Sequence, residues 1–313
     1  MEEQVQEVKD RFSGLKNFYD KQYKKLLIIP FALLFLAIIL IFFKYATTGD
    51  IINRDVGLKG GVTITIPTEN EVGILTLENS LKSDFPRNDM GVRALSRFGR
   101  QVGIIIEADI TESEVPLFLE KIRQKTNLRL LERDYTIEVV GSTLGMSFFR
   151  EIIVALLIAF LFMSITVFLC FRTFVPSIAV ILAAFSDIVV TLAIVNLLDF
   201  KLSSAGIAAF LMLIGYSVDT DILLSTRVLK RKEGTVMDRI LGAIKTGFMM
   251  TLTTIVASTV ALIFTQSEVI KQITIILLIG LLVDLINTWI QNVGLLRLYL
   301  ERNERKLLKK NEI

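Results

Sequence analysis

The stretch Ile214–Val228 reads IGYSVDTDILLSTRV and sets two carboxylates, Asp219 and Asp221, at the end of an apolar run. A charged side chain in mid-bilayer costs at least about 2.5–3.5 kcal/mol, so such groups normally face the interior of a helix bundle. Two residues apart on a helix, the aspartates point about 200° away from each other. They cannot both serve one pocket unless the helix breaks. Asp219 shares a face with Gly215, which permits close helix approach. Asp221 shares its face with Ser217 and Ser225 and lies six residues from Arg227. The expectation is that Asp219 turns into the bundle. For Asp221 two readings stand: a functional acid, or a carboxylate snorkelling to water at the membrane surface.

Outward from this stretch, the whole chain is apolar. Its 313 residues are 52% hydrophobic with a mean hydropathy of +0.59, which points to a membrane protein. The net charge of +3 is too small for a nucleic-acid-binding field. Cys170 is the only cysteine, so there is no intrachain disulfide and no thiolate cluster. Histidine is absent, which removes the commonest metal ligand and the Ser–His and Cys–His nucleophile pairs. The composition reads as a non-enzymatic protein without cofactor or metal.

Six stretches reach the about 20 residues needed to cross a bilayer: Leu26–Phe43, Ile152–Phe171, Ser177–Leu198, Leu202–Leu224, Phe248–Phe264 and Gln272–Leu296. The first lacks a small-x-small cleavage site after Phe43 and reads as a retained anchor. Lysines and arginines alternate between the two sides of these spans. Nineteen fall in the N-terminal segment, at Arg172, in the loop after span four and in the tail, against only Lys201 and Lys271 in the short connections opposite. This bias predicts a multi-pass protein of the cytoplasmic membrane with both termini cytoplasmic.

The organisation that follows has five parts. Residues 1–25 form an N-terminal segment with Val5, Val8, Phe12, Leu15, Phe18 and Tyr23 near one face, fitting either a surface-lying amphipathic helix or a solvated lead-in to span one. Residues 26–44 are span one, 45–149 an external domain, 150–299 spans two to six, and 300–313 a basic tail. Within the domain, Val62–Ile66 alternates as a strand after Gly60-Gly61, and Glu71–Lys82 has helical periodicity. Met90–Ser96 and Gln101–Ala108 read as strands around a turn at Phe98-Gly99. Thr111–Glu114 fits a capping box that opens a helix to about Thr126, and Tyr135–Val140 closes as a strand. The order predicts an α+β ferredoxin-like sandwich, a fold that says little about function by itself. The glycines of Gly57-Leu58-Lys59-Gly60-Gly61 lack a nucleotide-binding spacing.

Besides Asp219 and Asp221, Asp187 lies in span three and Asp284 in span six. Four intramembrane carboxylates exceed what tolerance explains, and a carboxyl without a cationic partner exchanges a proton more readily near neutral pH. The candidate cations are Lys245 and Arg227. The bland alternative is structural hydrogen bonding to groups such as Thr191, Asn196 or Asn287. The hydroxyl-rich stripe of span five, Thr251 to Ser258, reads as helix packing.

Gly215-Tyr216-Ser217-Val218-Asp219-Thr220-Asp221 resembles the fourth-helix motif of the SecF family, membrane subunits of the SecD–SecF protein-export complex. Phe185-Ser186-Asp187, Phe200–Ala209, Gly57–Gly61 and Val140–Gly145 match the same family in order, and the details resemble its archaeal branch. The resemblance implies a six-helix half of a resistance–nodulation–division type transporter. Its partners would be an obligate SecD-like subunit, a SecY-type translocon, an unfolded translocating polypeptide and the lipid bilayer, with no nucleic acid. It also implies proton coupling through membrane aspartates, with Asp219 as the leading relay acid and Asp187, Asp284 and Asp221 as further candidates. The family's arginine near the start of span five is replaced by Thr246, with Lys245 beside it. Two other functions stay open: a passive polypeptide-binding scaffold, and half of a lipid or small-molecule exporter.

Overall fold

The computed structural model describes residues 22–68, 70–86, 88–97, 100–126, 134–230, 234–265 and 267–311. Most of the N-terminal segment, including Val5 to Phe18, and the Phe98-Gly99 turn lie outside the described residues.

Six helices are long and apolar enough to cross a membrane: Gln22–Thr48, Ser142–Phe171, Phe174–Leu197, Ser204–Lys230, Val236–Phe264 and Val269–Lys306. Most run past the apolar stretches because hydropathy marks only what lipid touches, while capping sets where the helix starts. Span five begins at Thr235, whose hydroxyl accepts from the Asp238 amide while the Asp238 carboxylate accepts from the Thr235 amide, a reciprocal box that opens thirteen residues before the apolar run. Spans three and four each bury 56% of their most apolar window and span six buries 44%, against 6% for span two. The bundle is therefore built on spans three, four and six, with one, two and five laid around them.

The domain between spans one and two is a four-stranded antiparallel sheet ordered β2-β3-β1-β4. Its strands are β1 (Gly61–Pro67), β2 (Met90–Arg97), β3 (Arg100–Ala108) and β4 (Thr136–Val140). The helices Ile74–Asp84 and Val115–Thr126 cover one face, which is the ferredoxin-like topology expected from the element order. Alternation explains the core. Val62, Ile64 and Ile66 of β1 and Ile104, Ile106 and Ala108 of β3 point to the helices, where Phe118 and Leu81 are fully buried. Thr111 opens its helix with its amide donating to the Glu114 carboxylate at 2.8 Å.

A short neck fastens this domain to the bundle. Leu202, in the connection between spans three and four, pairs with the strap below span one: its amide donates to the Asn53 carbonyl at 2.6 Å, and its carbonyl accepts from the Asp55 amide at 3.0 Å. Asp89 at the foot of β2 holds Lys201 at 3.1 Å and Lys59 at 3.3 Å. Gly60 and Gly61 have φ of 92° and 133°, and a Cβ on Gly145 would meet the Gly60 nitrogen at 2.7 Å. Backbone against backbone at this point is why the motif needs glycine.

Candidate functional site in the helix bundle

Span six carries an interruption that builds the site. Between Ile286 and Val293 the helix widens to π geometry over Asn287–Asn292, NTWIQN, a device that re-aims side chains and recurs at functional sites. Five of the six residues are buried. A nearby span-five glycine leaves room for the bulge: a Cβ on Gly247 would lie 2.5 Å from the Trp289 ring.

The amides and hydroxyls of this segment reach three carboxyls. Asp187 of span three accepts from the Ser217 hydroxyl at 2.5 Å and from Asn287 Nδ2 at 2.8 Å. Asp221 Oδ1 accepts from Asn292 Nδ2 at 2.7 Å and from the Thr288 hydroxyl at 2.9 Å. The same Thr288 oxygen lies 3.0 Å from Asp284 Oδ1, and Asp284 lies beside Ser217 and Asp187. Gln291 Nε2 donates to the Ser186 hydroxyl at 3.3 Å. The three aspartates are essentially free of solvent contact, at 1%, 0% and 0% exposure. Asp221 Oδ2, Asp284 Oδ2, Ser225 Oγ and Asn292 Oδ1 are buried without a hydrogen-bond partner among the described residues. The result is a polar seam between spans three, four and six, running Asp187, Ser217, Asp284, Thr288, Asp221.

Asp219 is not in it. The 200° separation holds, but with the faces opposite to expectation. Asp221, read as able to snorkel to the surface, is fully buried. Asp219 is exposed on the outer side of span four. There it borders a groove of about 270 Å³ shared with Tyr216, Thr220, Thr251, Thr253 and Thr254. Gly215, on the same face, meets nothing within 4 Å, so it mediates no close helix packing inside this chain. Ser217 is buried, and it serves Asp187 by hydrogen bonding.

The cationic partners also fall elsewhere. Arg227 donates to the Gly242 carbonyl at 2.5 Å and Lys245 is exposed. No ion pair joins either to the four aspartates among the described residues. The bland alternatives divide: Asn287 does bond Asp187, while Asn196 is used at the neck, accepting from Lys44 and donating to the Ile51 carbonyl. Sequence reasoning missed Thr288, Gln291 and Asn292. Their signal was legible, since Asp284, Thr288 and Asn292 recur every four residues in an otherwise apolar span.

This geometry stands beside a family match. Residues 121–302 fit the family described as protein export membrane protein SecD/SecF, C-terminal. The chain belongs to the SecD/SecF family. Protein-export membrane protein SecF of Methanocaldococcus jannaschii is 38% identical over 292 residues, covering 91% of this chain and 99% of that one. The SecF protein of Methanothermobacter thermautotrophicus is 40% identical over 287 residues, covering 90% and 94%. Among solved structures, SecDF of Thermus thermophilus, described as translocon-associated, superposes with a TM-score of 0.69 at 20% identity. That likeness covers 90% of this chain and 38% of the SecDF chain. The membrane helices with an inserted α+β domain are thus the architecture of one part of SecDF, and the family is one of protein export.

Proposed function

We propose that this chain is the SecF-type half of a two-subunit complex that assists polypeptide translocation across the cytoplasmic membrane, and that proton movement along the buried seam drives it. The observation that carries the reading is the Thr288 hydroxyl. A hydroxyl has one proton to donate, yet Thr288 faces a carboxyl oxygen on either side, at 2.9 and 3.0 Å. Both contacts are hydrogen bonds only while Asp221 or Asp284 holds a proton and donates it back. The seam therefore has two arrangements that differ in where one proton sits, and helices on either side of it feel the difference.

A path from the seam to the domain supports the reading. Gln272, at the outer end of span six, donates to the Lys201 carbonyl at 2.6 Å and bonds Ser203. Lys201 in turn holds Asp89 of the domain. A shift of span six against span four thus moves the domain's foot. One charge crossing 100 mV supplies about 2.3 kcal/mol, enough to change a two-state ratio by a factor of tens. Asp219 belongs in this account at the boundary with a SecD-like subunit, since a carboxylate left against lipid is costly. The charge bias of the loops supports cytoplasmic termini.

The test is export into vesicles carrying the chain, its SecD-like partner and the Sec channel. Thr288→Val and Asp221→Asn are expected to remove the dependence of export on the protonmotive force while the partner still co-purifies. Unchanged dependence in both variants removes the relay. What then remains is a passive scaffold, a reading that the complete satisfaction of Asp187 by Ser217 and Asn287 favours at that one position.

A further inference from the structure

A second polar concavity lies on the domain's side of the bundle, apart from the seam and from the Asp219 groove. It measures about 790 Å³, and its polar lining is Arg54, Lys59, Arg150, Ser142, Thr143 and Ser147, with no acidic residue. Two of the cations are fixed from behind. Arg54 is held by Asp50 at 2.6 Å and stacks 4.9 Å over the Phe149 ring, and Lys59 is held by Asp89 at 3.3 Å. Arg150 is exposed and makes no ion pair among the described residues. The lining is thus basic and hydroxyl-rich, with one cation uncompensated.

Its depth identifies the occupant. The apolar run of span two starts at Ile152, so Arg150 stands half a turn from the hydrocarbon and the end of the cavity that it lines lies at the headgroup layer. Only 6% of the apolar window of span two is buried, so acyl chains have a wall to lie along. Val154, Leu157 and Leu161, on the Arg150 face of the same helix and within the apolar run, are 47%, 64% and 58% exposed. Arginine and lysine side chains with hydroxyls beside them suit a phosphate group by charge-assisted hydrogen bonds. We infer that this cavity binds the phosphate headgroup of an anionic membrane lipid, with the lipid's chains along span two. An acidic stretch of a passing polypeptide shares the charge but has no use for the apolar wall.

The full chain, purified in detergent, is titrated with phosphatidylglycerol or phosphatidylcholine, and bound lipid is counted by native mass spectrometry. Phosphatidylglycerol is expected to bind in preference. Arg150→Gln is expected to weaken it about fivefold, the share of one surface cation. Arg150→Lys should keep most of the binding, and Arg172→Gln, on the opposite side of the membrane, all of it. Melting of each variant by circular dichroism should match the parent, since Arg150 is exposed. Equal binding of the two lipids, or equal loss in Arg150→Gln and Arg172→Gln, overturns the inference. So does displacement of the lipid by millimolar inorganic phosphate or by an acidic peptide.

Discussion

Asp221 and Asp219 lie two residues apart on one helix and live in different worlds. The inner carboxyl meets two donors from span six and is closed off from solvent. The outer one borders threonines of span five in an open groove and has no cation beside it among the described residues. The inner face closes around its acids within this chain, with some of its polar atoms left without a hydrogen-bond partner among the described residues. On the outer face the described residues leave the Asp219 carboxylate open. The difference teaches that one helix can bury one acid in a polar core and leave another, two residues away, on its open face.

The sharpest way to break this contrast is to truncate each side in the chain alone. Asp187→Ala leaves the Ser217 hydroxyl and the Asn287 amide buried without an acceptor, at about 1–3 kcal/mol for each orphaned group, so a loss of about 3 kcal/mol is expected. Asp219→Ala orphans nothing and should fall within about 0.5 kcal/mol. Unfolding midpoints in detergent decide this. Equal losses would mean that the groove acid is structurally engaged and the inner–outer distinction is false. If Asp219 faces the SecD-like partner as proposed, the ranking narrows when that partner is present.

The next effect concerns Asp55, a half-buried carboxyl outside the membrane spans. Burial pushes Asp55 up to about 6, the nearby Glu107 carboxylate adds to the shift, and the amides of Leu58 and Gly57 and the charge of Arg93 only partly oppose it. A raised carboxyl favours the folded neck when protonated. The added stability is full below the ordinary value near 4 and is lost as pH rises through about 6. Discounted for its partial exposure, the change is about 2 kcal/mol. Hydrogen exchange of the Leu58 and Lys59 amides should speed up between about pH 4 and 6, the window those values set, beyond the intrinsic base-catalysed rise. Asp55→Asn should flatten that excess, since an amide oxygen still accepts from Leu58. A variant that retains the excess would remove Asp55 as the source of the pH response.

The sequence shows the fold more plainly than the site, for physical reasons visible at particular residues. Long apolar spans and the strand, helix, strand, strand, helix, strand order are local patterns, so the six spans and the antiparallel sheet are readable directly. The opposition of Asp219 and Asp221 is equally local, since it follows from helix geometry. Which of the two faces inward is not local. It depends on where span six lies and on a π bulge that turns Thr288 and Asn292 toward Asp221, and pairings over 67 and 71 residues leave no periodic trace. Gly215 misled for the same reason. A small residue beside an acid suggests tight packing, but no described residue lies against Gly215.

The smallest effect concerns how the polar core reaches the domain. Lys201 and Asp89 are 26% and 44% exposed at their side chains, so their pairing is screened and worth about 0.5–1 kcal/mol. Burial works against the Asp89 anion, but Lys201 and Lys59 together outweigh it and hold its carboxyl below the ordinary value. The pair is therefore intact above the ordinary carboxylate range and lost as pH falls through the lowered value. A double-mutant cycle with Lys201→Met and Asp89→Asn should return a coupling in that range, since each change removes the contact without adding a charge. The same cycle read in the export assay carries the larger consequence. If Lys201 conveys the state of span six to the domain, Lys201→Met lowers the protonmotive-force dependence far more than a sub-kilocalorie loss of stability accounts for. Strain is then transmitted by the position of the contact, and its strength is secondary. If export falls only in proportion to stability, the neck is a tether and the seam acts on the partner through span four instead.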